Sequence, residues 1–280
     1  MSNKKEISLF FHSIPDNINW QGLDANRVYI PIARPEHLKA AKKHIRDAYL
    51  WLPAVLRDHQ MDWVIKRMEP FIGVADGVLA GNMESLRRVR TEFPEMPVAL
   101  DFQINVLNSW TVFSFETYSP SSIVLSPELN INEIRRIKSP GIPLEVYVYG
   151  EIPVMTMEYC PGSGGRECMR KCLTCDKCEG YITDRAGKRF LYRTDPVLKR
   201  TTLFNSSRLM LDDISPLKNT DVDILRIGIM DESNEEISIL CDFYAGQWIY
   251  GSEKLLIILR INCIMEKVRK EVLQKDTFSG

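Results

Sequence analysis

Five of the chain's seven cysteines lie within nineteen residues, in the run CPGSGGRECMRKCLTCDKC. These five residues are Cys160, Cys168, Cys172, Cys175 and Cys178. Thiols this close together cannot all form unstrained disulfides, because a disulfide requires particular Cα separations and Cβ directions. Thiolates can instead converge on one metal centre from a folded loop, and thiolate ligands select zinc, Cu(I) or iron–sulfur clusters. The run therefore predicts a thiolate metal site.

The spacing of these cysteines leaves two kinds of metal centre open. Structural zinc sites usually combine one close cysteine pair with a second pair some distance away. No second pair follows CLTCDKC. Ferredoxin-type [4Fe–4S] loops use consecutive short gaps plus a remote cysteine, and Cys160 stands apart from the run Cys168–Cys178 in that manner. We expect a [4Fe–4S] cluster, with zinc as the alternative.

Composition and charge exclude several classes of protein. The chain has 280 residues, of which 36 are basic and 37 acidic, so its bulk charge predicts no strong attraction to nucleic acid or acidic lipid. The apolar stretch near the N-terminus is too short for a signal peptide, and no run approaches the roughly 18 apolar residues of a membrane span. These features predict a cytoplasmic protein, where thiols stay reduced. The abrupt end at DTFSG leaves room for a partner subunit or a missing second domain.

Short apolar runs alternate with helical patterns along most of the chain, and this alternation predicts a parallel sheet. Eight strands fit a TIM-like (β/α)8 barrel, which we expect to form a single domain over residues 1–280. An open doubly wound sheet is less favoured, because neither GxGxxG after the first strand nor GxxxxGK is present. The predicted strands are 8–12, 27–32, 48–54, 77–81, 98–102, 123–128, 145–150 and 224–229. The predicted helices are 35–46, 61–68, 82–93, 108–118, 130–138, 234–244 and 254–273.

The longest interruption of this pattern, residues 151–206, follows the seventh strand and contains the cysteine run. Loops that follow barrel strands form the C-terminal mouth, where the active sites of this architecture are found. We therefore expect a cysteine-rich cap, inserted over residues 151–206, to cover that mouth. The connection between the first two strands is short, so its helix should be shrunken or absent.

Polar residues at the predicted strand ends are the candidates for catalysis. Asp101 and Glu128 end the fifth and sixth strands, Tyr149 lies near the end of the seventh, and Glu158 lies just before the cysteine run. Two carboxylates that face one pocket can perform general acid–base chemistry if their environments separate their pKa values. The alternative for each is a helix cap or a buried structural hydrogen bond. Glu145 opens a strand, so it should lie at the opposite, stabilising end of the barrel.

The predicted cap is basic, which suggests a phosphate-bearing substrate such as RNA. The same charges would also balance those of the thiolates. The basic residues are Arg166, Arg170, Lys171, Lys177, Arg185, Lys188, Arg189 and Arg193. A conventional peptidase is harder to find, since the chain has no GxSxG elbow and no HExxH. A cysteine peptidase needs an activating histidine, and only His12 lies at a predicted strand end.

Several segments resemble the collagenase-like peptidase family U32. They are EVYVYGEIPVMTMEYCPGSGGRECMRKC, then GYITDRAGKRF and LFNS, with GVLAGN, DFQINVLNS and VLSPELN upstream in that order. The resemblance covers nearly the whole chain and implies a TIM-like barrel with a cysteine-rich cap. Some members are called proteases or collagenases. Others bind a [4Fe–4S] cluster and support oxygen-independent hydroxylation of an RNA base or of the ubiquinone ring.

The resemblance also implies a set of ligands. Three positions match the family's cysteines: Cys160, Cys168 and Cys172. Pro153 stands where another family cysteine is common, and LKRTTLFNS lacks the last one. One of Cys175 and Cys178 would then supply the fourth thiolate. Three functions follow as expectations: an enzyme that supports hydroxylation of an RNA base or a quinone-like ring, a metal- or thiol-dependent peptidase acting on peptides, and a non-catalytic binding module with structural zinc.

Overall fold

Eight parallel strands close into a barrel in the computed structural model, which describes residues 4–32, 34–163, 175 and 177–246. Each of the first seven strands pairs with the next in parallel register, and the eighth pairs with both the seventh and the first. This closure confirms the predicted TIM-like barrel. The barrel strands are β1 (Glu6–Phe11), β2 (Arg27–Pro31), β3 (Asp47–Trp51), β4 (Gly77–Ala80), β5 (Val98–Leu100), β6 (Ser122–Val124), β7 (Leu144–Gly150) and β13 (Val222–Ile229).

The strands are buried on both faces, which explains why they read as nearly continuous apolar runs. Alternate side chains point to opposite faces of a strand. One set forms a compact aromatic cluster within the barrel, including Phe10, Tyr29, Tyr49 and Tyr147. The other set packs outward against the helices in a larger core. The barrel interior is therefore filled with side chains, and it also holds several polar groups.

The helices lie between the strands, as the periodicity predicts. They are α1 (Pro35–Ala41), α2 (Asp58–Met68), α3 (Met83–Glu92), α4 (Ser109–Ser114), α5 (Ile131–Ile134) and α6 (Asn234–Gly246). The side chain of Asn108 caps α4 by accepting a hydrogen bond from the backbone N–H of Thr111 at 3.0 Å. Residues 12–26 contain no helix, which confirms the shortened first connection.

Several predicted elements were too long. Helix α4 stops at Ser114 and is followed by a 3-10 turn, Glu116–Tyr118, while α5 covers only one turn of the predicted 130–138. Strand β6 ends at Val124 instead of residue 128, since the backbone N–H of Ser126 bonds to the carbonyl of Val106 and Pro127 has no N–H to donate. The predicted helix 254–273 lies outside the described residues. In the part of the chain that is described, no helix is both long and apolar enough to cross a membrane.

The insertion after β7 forms a second, antiparallel sheet, which we call the inserted sheet. Its strands are β8 (Pro153–Met157), β9 (Glu179–Thr183), β10 (Arg189–Thr194) and β11 (Thr201–Phe204), in the spatial order β8-β11-β10-β9. The chain then returns to β7 through the short antiparallel strand β12 (Leu209–Met210). The sequence predicted the position of this insertion but not its strands.

The chain leaves the barrel at Gly150, where φ is +128°. A Cβ atom at this position would lie 2.8 Å from the backbone of Gly228 on β13. Both the backbone conformation and the close approach require glycine. The sharp departure from β7 places the inserted sheet beside the C-terminal end of the barrel.

Candidate functional site

A cavity of about 610 Å³ lies between the mouth of the barrel and the inserted sheet. Barrel residues at the C-terminal ends of their strands line one side, including His12, Trp51 and Asp101. The inserted sheet contributes Met155, Thr194 and other residues to the opposite side. The cavity occupies the end of the barrel where active sites of this architecture lie.

Aromatic rings form much of the barrel side of this cavity. The ring centroids of Phe10 and Trp51 are 5.5 Å apart with a tilt of 33°, and those of Phe102 and Tyr147 are 5.7 Å apart at 85°. The Trp51 indole is held in place because its Nε1–H donates to the carbonyl of Phe11 at 2.8 Å. Flat, fixed apolar surfaces of this kind suit a planar ring, which can stack on them or meet their edges.

A buried ionic network lies in the barrel interior, next to the cavity. Arg226 is completely buried and donates from Nε to Glu145 at 2.6 Å and from Nη1 to Asp101 at 2.7 Å. Glu145 also accepts hydrogen bonds from Tyr29 at 2.7 Å and from Ser8 at 2.5 Å. Buried charges persist when they are paired and hydrogen-bonded in this way. The stabilising role predicted for Glu145 agrees with this arrangement.

The two carboxyl groups of the network have pKa values shifted in opposite directions. Burial raises the pKa of Asp101, although the charge of Arg226 opposes this effect. Burial also acts to raise the pKa of Glu145, but the charge and hydrogen bond of Arg226 outweigh it, and the net shift is downward. Paired groups with divergent pKa values are characteristic of acid–base sites. Asp101 lines the cavity and Glu145 does not, so Asp101 is the better candidate for holding a proton there.

His12 connects the barrel to the inserted sheet. Its ring packs edge-on against Phe10 of β1 at 4.9 Å and against Phe204 of β11 at 5.2 Å. Burial, with the nearby charges of Arg193 and Arg226, lowers the pKa of His12 to about 3, so the imidazole is neutral at physiological pH. The ring bonds to the backbone of Glu151, while Nε2 has no hydrogen-bond partner among the described residues.

Two of the predicted catalytic residues lie on the surface of the molecule, apart from Asp101. Glu128 follows the end of β6, is exposed, and does not line the cavity. Glu158 is also exposed and forms ion pairs with Arg57 at 2.6 Å and Arg200 at 3.0 Å. The expectation that Asp101 and Glu128 share one pocket does not agree with this arrangement. Glu158 instead joins the start of α2 to the inserted sheet.

Tyr149, the fourth predicted residue, belongs to a separate buried cluster. Its hydroxyl donates to Glu232 at 3.0 Å and accepts a hydrogen bond from Arg208 at 2.7 Å. Arg208 also pairs with Glu151 at 2.9 Å. Burial raises the pKa of the Tyr149 hydroxyl far above its usual value. Its position at the end of β7 was anticipated, but its neighbour Tyr147 is the residue that lines the cavity.

The described cysteines of the predicted metal site lie at one end of the inserted sheet. Tyr192 of β10 has a raised pKa because of burial and then because of the charges of Cys160, Cys178 and Cys175, which places all three thiols near its hydroxyl. The backbone N–H of Lys177 points to the sulfur of Cys175 at 3.4 Å. Such N–H donors are suited to thiolate ligands of a metal centre.

The predicted ligand set cannot be assembled from these residues alone. Cys168 and Cys172 lie outside the described residues. Within residues 4–32, 34–163, 175 and 177–246, no group of three His, Cys, Asp or Glu side chains is arranged to hold a metal ion. The three described thiols therefore fit the donor chemistry of a thiolate centre, while the centre itself and the cysteine-rich character of the cap remain predictions.

Thr194 connects the two parts of the site. Its side chain lines the cavity, and its hydroxyl donates to the sulfur of Cys160 at 3.7 Å. The same hydroxyl lies 2.9 Å from that of Thr201 on the neighbouring strand. Thr194 thus contacts both the cavity and the Cys160 sulfur.

Sequence reasoning missed several residues of this site, among them Arg226, Tyr147 and Thr194. A signal for Arg226 was present, because a charged residue within the apolar strand VDILRIGI must be buried and therefore paired. Tyr147 also carried a signal, since it lies two residues after Glu145 and therefore on the same face of β7. Thr194 gave no signal, because its importance depends on a cross-strand register that the sequence does not reveal.

Comparison with known proteins adds an independent finding. The model of peptidase family U32 matches residues 35–245. Two curated relatives, each named tRNA hydroxylation protein P, align over 103 residues: that of Escherichia coli at 29% identity and that of Haemophilus influenzae at 31%. Each alignment covers 36% of this chain, and only 23% and 22% of the respective relative. A solved structure, of the U32 peptidase Mk0906, aligns with a TM-score of 0.49 at 12% identity, over 83% of this chain and 96% of that one.

Proposed function

This chain belongs to peptidase family U32, and we propose that it is a cytoplasmic enzyme that binds a nucleobase of RNA at the mouth of its barrel and takes part in hydroxylating that base. The names of the two curated relatives support RNA hydroxylation. The aligned region is less than a quarter of those relatives, so the activity is carried to this chain as a proposal.

The observation that carries the proposal is the cavity between the barrel mouth and the inserted sheet. Its aromatic side offers surfaces on which a base can stack, and Asp101 supplies a carboxyl group whose burial favours the protonated form. Enzymes that modify a base must take it out of its stack into a closed pocket. A volume of about 610 Å³ is within the range of small-molecule sites.

The cysteines at one end of the inserted sheet would hold an iron–sulfur cluster. Cys160 and one of Cys175 and Cys178 would be ligands, together with Cys168 and Cys172 outside the described residues. Such a cluster supplies one-electron transfer when it is bound. The residues of the cavity would bind and orient the base and exclude water from it, and Asp101 would hold or move a proton.

Substitution of an aromatic residue in the cavity tests the proposed substrate. We expect Trp51→Ala to weaken binding of a labelled single-stranded RNA oligonucleotide about tenfold, because one stacked base contributes about 1–3 kcal/mol. Trp110→Ala is the matched control, since Trp110 is 86% exposed and does not line the cavity. Equal affinities for the two variants and the wild type would contradict the placement of RNA in this cavity.

A second experiment tests the reaction and the cluster. Protein purified without oxygen should contain iron and acid-labile sulfide, and it should show the broad visible absorbance of a cluster. Transfer RNA from cells that express the protein should contain a nucleoside with one additional oxygen atom, detected by mass spectrometry after digestion. Protein that holds zinc instead of iron, or that cleaves gelatin or peptides without modifying RNA, would overturn the proposal.

A further inference from the structure

We propose that Thr194 is a positioning residue that controls the Cys160 sulfur through a two-hydroxyl relay formed with Thr201. This inference rests on the proposed function, because it concerns Cys160 as a ligand of the cluster. It adds a residue whose role neither the family nor the relatives' names indicate. The relay lies between the cluster side and the substrate side of the site.

The geometry of the relay is defined by the sheet. Thr194 of β10 and Thr201 of β11 are direct cross-strand partners in antiparallel register. Their hydroxyl oxygens lie 2.9 Å apart, and the hydroxyl of Thr194 lies 3.7 Å from the sulfur of Cys160. Thr194 is 7% exposed and Thr201 is 1% exposed, so water has little access to either group.

The ionisation of the Cys160 sulfur determines the direction of the two hydroxyl hydrogen bonds. A thiolate can only accept hydrogen bonds, so the single proton of the Thr194 hydroxyl must point to Cys160 when that sulfur is ionised. The oxygen of Thr194 then accepts the proton of Thr201. Each bond in such a chain polarises the next, and the effect is strongest where water is excluded. Both threonines therefore act on one sulfur atom.

A purely structural role for the pair makes a different prediction. Paired threonines stabilise antiparallel strands through their hydroxyls and methyl groups. If that were their whole role, removing a hydroxyl would lower the stability of the sheet without changing the properties of the cluster. The position of Thr194 at the wall of the cavity favours the functional role, because a change in the charge of the Cys160 sulfur would occur next to the proposed substrate site.

The reduction potential of the cluster separates these two roles. Hydrogen bonds to cluster sulfur favour the more negatively charged, reduced state and so raise the potential. Thr194→Val keeps the shape of the side chain and removes the donor. We expect it to lower the one-electron equilibrium constant for reduction about tenfold, which corresponds to about 59 mV. Thr194→Ser keeps the hydroxyl and should restore a potential close to that of the wild type.

Thr201→Val provides a second variant that does not touch the sulfur. It should shift the potential in the same direction by a smaller amount, because it removes only the outer member of the relay. Spectroelectrochemical titration of protein purified without oxygen measures all four proteins, with iron content measured in parallel. Equal potentials at equal iron content would overturn the relay and leave the proposed function intact. Wild-type protein without iron would overturn the cluster itself, and the relay with it.

Discussion

Two ionic clusters of three residues have opposite arrangements of charge: one has a cation between two anions, and the other has an anion between two cations. They also differ in solvent exposure. In the barrel interior, the single cation Arg226 lies between Asp101 and Glu145, and all three residues are buried. At the edge of the inserted sheet, the single anion Glu158 lies between Arg57 and Arg200. The side chains of Glu158 and Arg57 are 53% and 60% exposed, whereas that of Arg200 is 11% exposed. The ion-pair distances in the two clusters are similar, so solvent exposure is the main difference between them.

This comparison shows that the barrel interior and the edge of the inserted sheet use ion pairs for different purposes. The buried cluster cannot lose one member without leaving an uncompensated charge in the barrel, so it fixes the protonation and position of Asp101 at the cavity. In the exposed cluster, Glu158 and Arg57 exchange their contacts with water at little cost. This cluster holds the inserted sheet near the mouth but does not determine the chemistry there.

Removing the central arginine should have the largest effect of any change considered. We expect Arg226→Met to lower the free energy of unfolding by about 3–5 kcal/mol, because it leaves two carboxyl groups buried without their cation. Chemical denaturation at neutral pH measures the loss. A triple variant that also carries Asp101→Asn and Glu145→Gln is the control, and it should recover much of the stability. A loss below about 1 kcal/mol in the single variant would mean that water reaches the network.

The two carboxyl groups of the buried cluster should respond to pH in opposite ways. Glu145 has a lowered pKa when folded, so it stabilises the fold above its ordinary pKa of about 4.3, and this contribution is lost as the pH falls through the folded value. Asp101 has a raised pKa, so its ionised form costs stability at neutral pH. That cost is removed as the pH falls from the raised value toward about 3.9.

Two neutral variants measure these contributions. The advantage of the wild type over Glu145→Gln should shrink below about pH 4.3. The stability of the wild type relative to Asp101→Asn should instead increase as the pH falls toward about 3.9. At neutral pH, Glu145→Gln should be the more destabilising of the two. Denaturation curves recorded from neutral pH downward test this. Changes of the same sign for both variants would show that the two groups do not differ in the way that their burial and partners imply.

The sequence predicted the barrel well because the signals for its strands are local. Each barrel strand is an apolar run bounded by polar or turn residues, and all eight runs form strands. The inserted sheet was missed because its pairing is not local: β8 pairs with β11 across the whole cysteine run, and residues on its strands are half exposed. Apolar periodicity gives little information about strands of this kind.

Residues of the candidate site were likewise predictable where the signal was local, and were missed where it depended on distant segments. Asp101 was predicted from its place at the end of a strand, and it does line the cavity. Glu128 was chosen by the same rule, but β6 ends early and leaves it on the surface. A strand end is thus informative only when its last residue is known, and strand boundaries depend on backbone hydrogen bonds from other segments. The contact between Thr194 and Cys160 depends on such long-range pairing as well.

The smallest expected effect is at the exposed cluster. Glu158→Gln removes the anion shared by Arg57 and Arg200, and we expect it to lower the free energy of unfolding by no more than about 1 kcal/mol. Added salt should reduce even this loss, because the Debye length falls from about 10 Å at 0.1 M to about 3 Å at 1 M, which weakens the attraction between exposed charges. The loss caused by Arg226→Met should hardly change with salt. Denaturation of both variants at low and high salt provides the measurement.

A matched control for this last variant is Glu84→Gln. Glu84 forms an exposed ion pair with Arg87 within α3, without contacting the inserted sheet. Both glutamine variants should have similarly small effects on global stability, but only Glu158→Gln should increase proteolysis of the inserted sheet, because Glu158, unlike Glu84, pairs with residues on both the inserted sheet and the barrel side. A loss of more than about 2 kcal/mol for Glu158→Gln would exceed what an exposed pair can contribute. The two clusters would then contribute similarly to the free energy of unfolding, and the solvent exposure of Glu158 would not account for the size of its contribution.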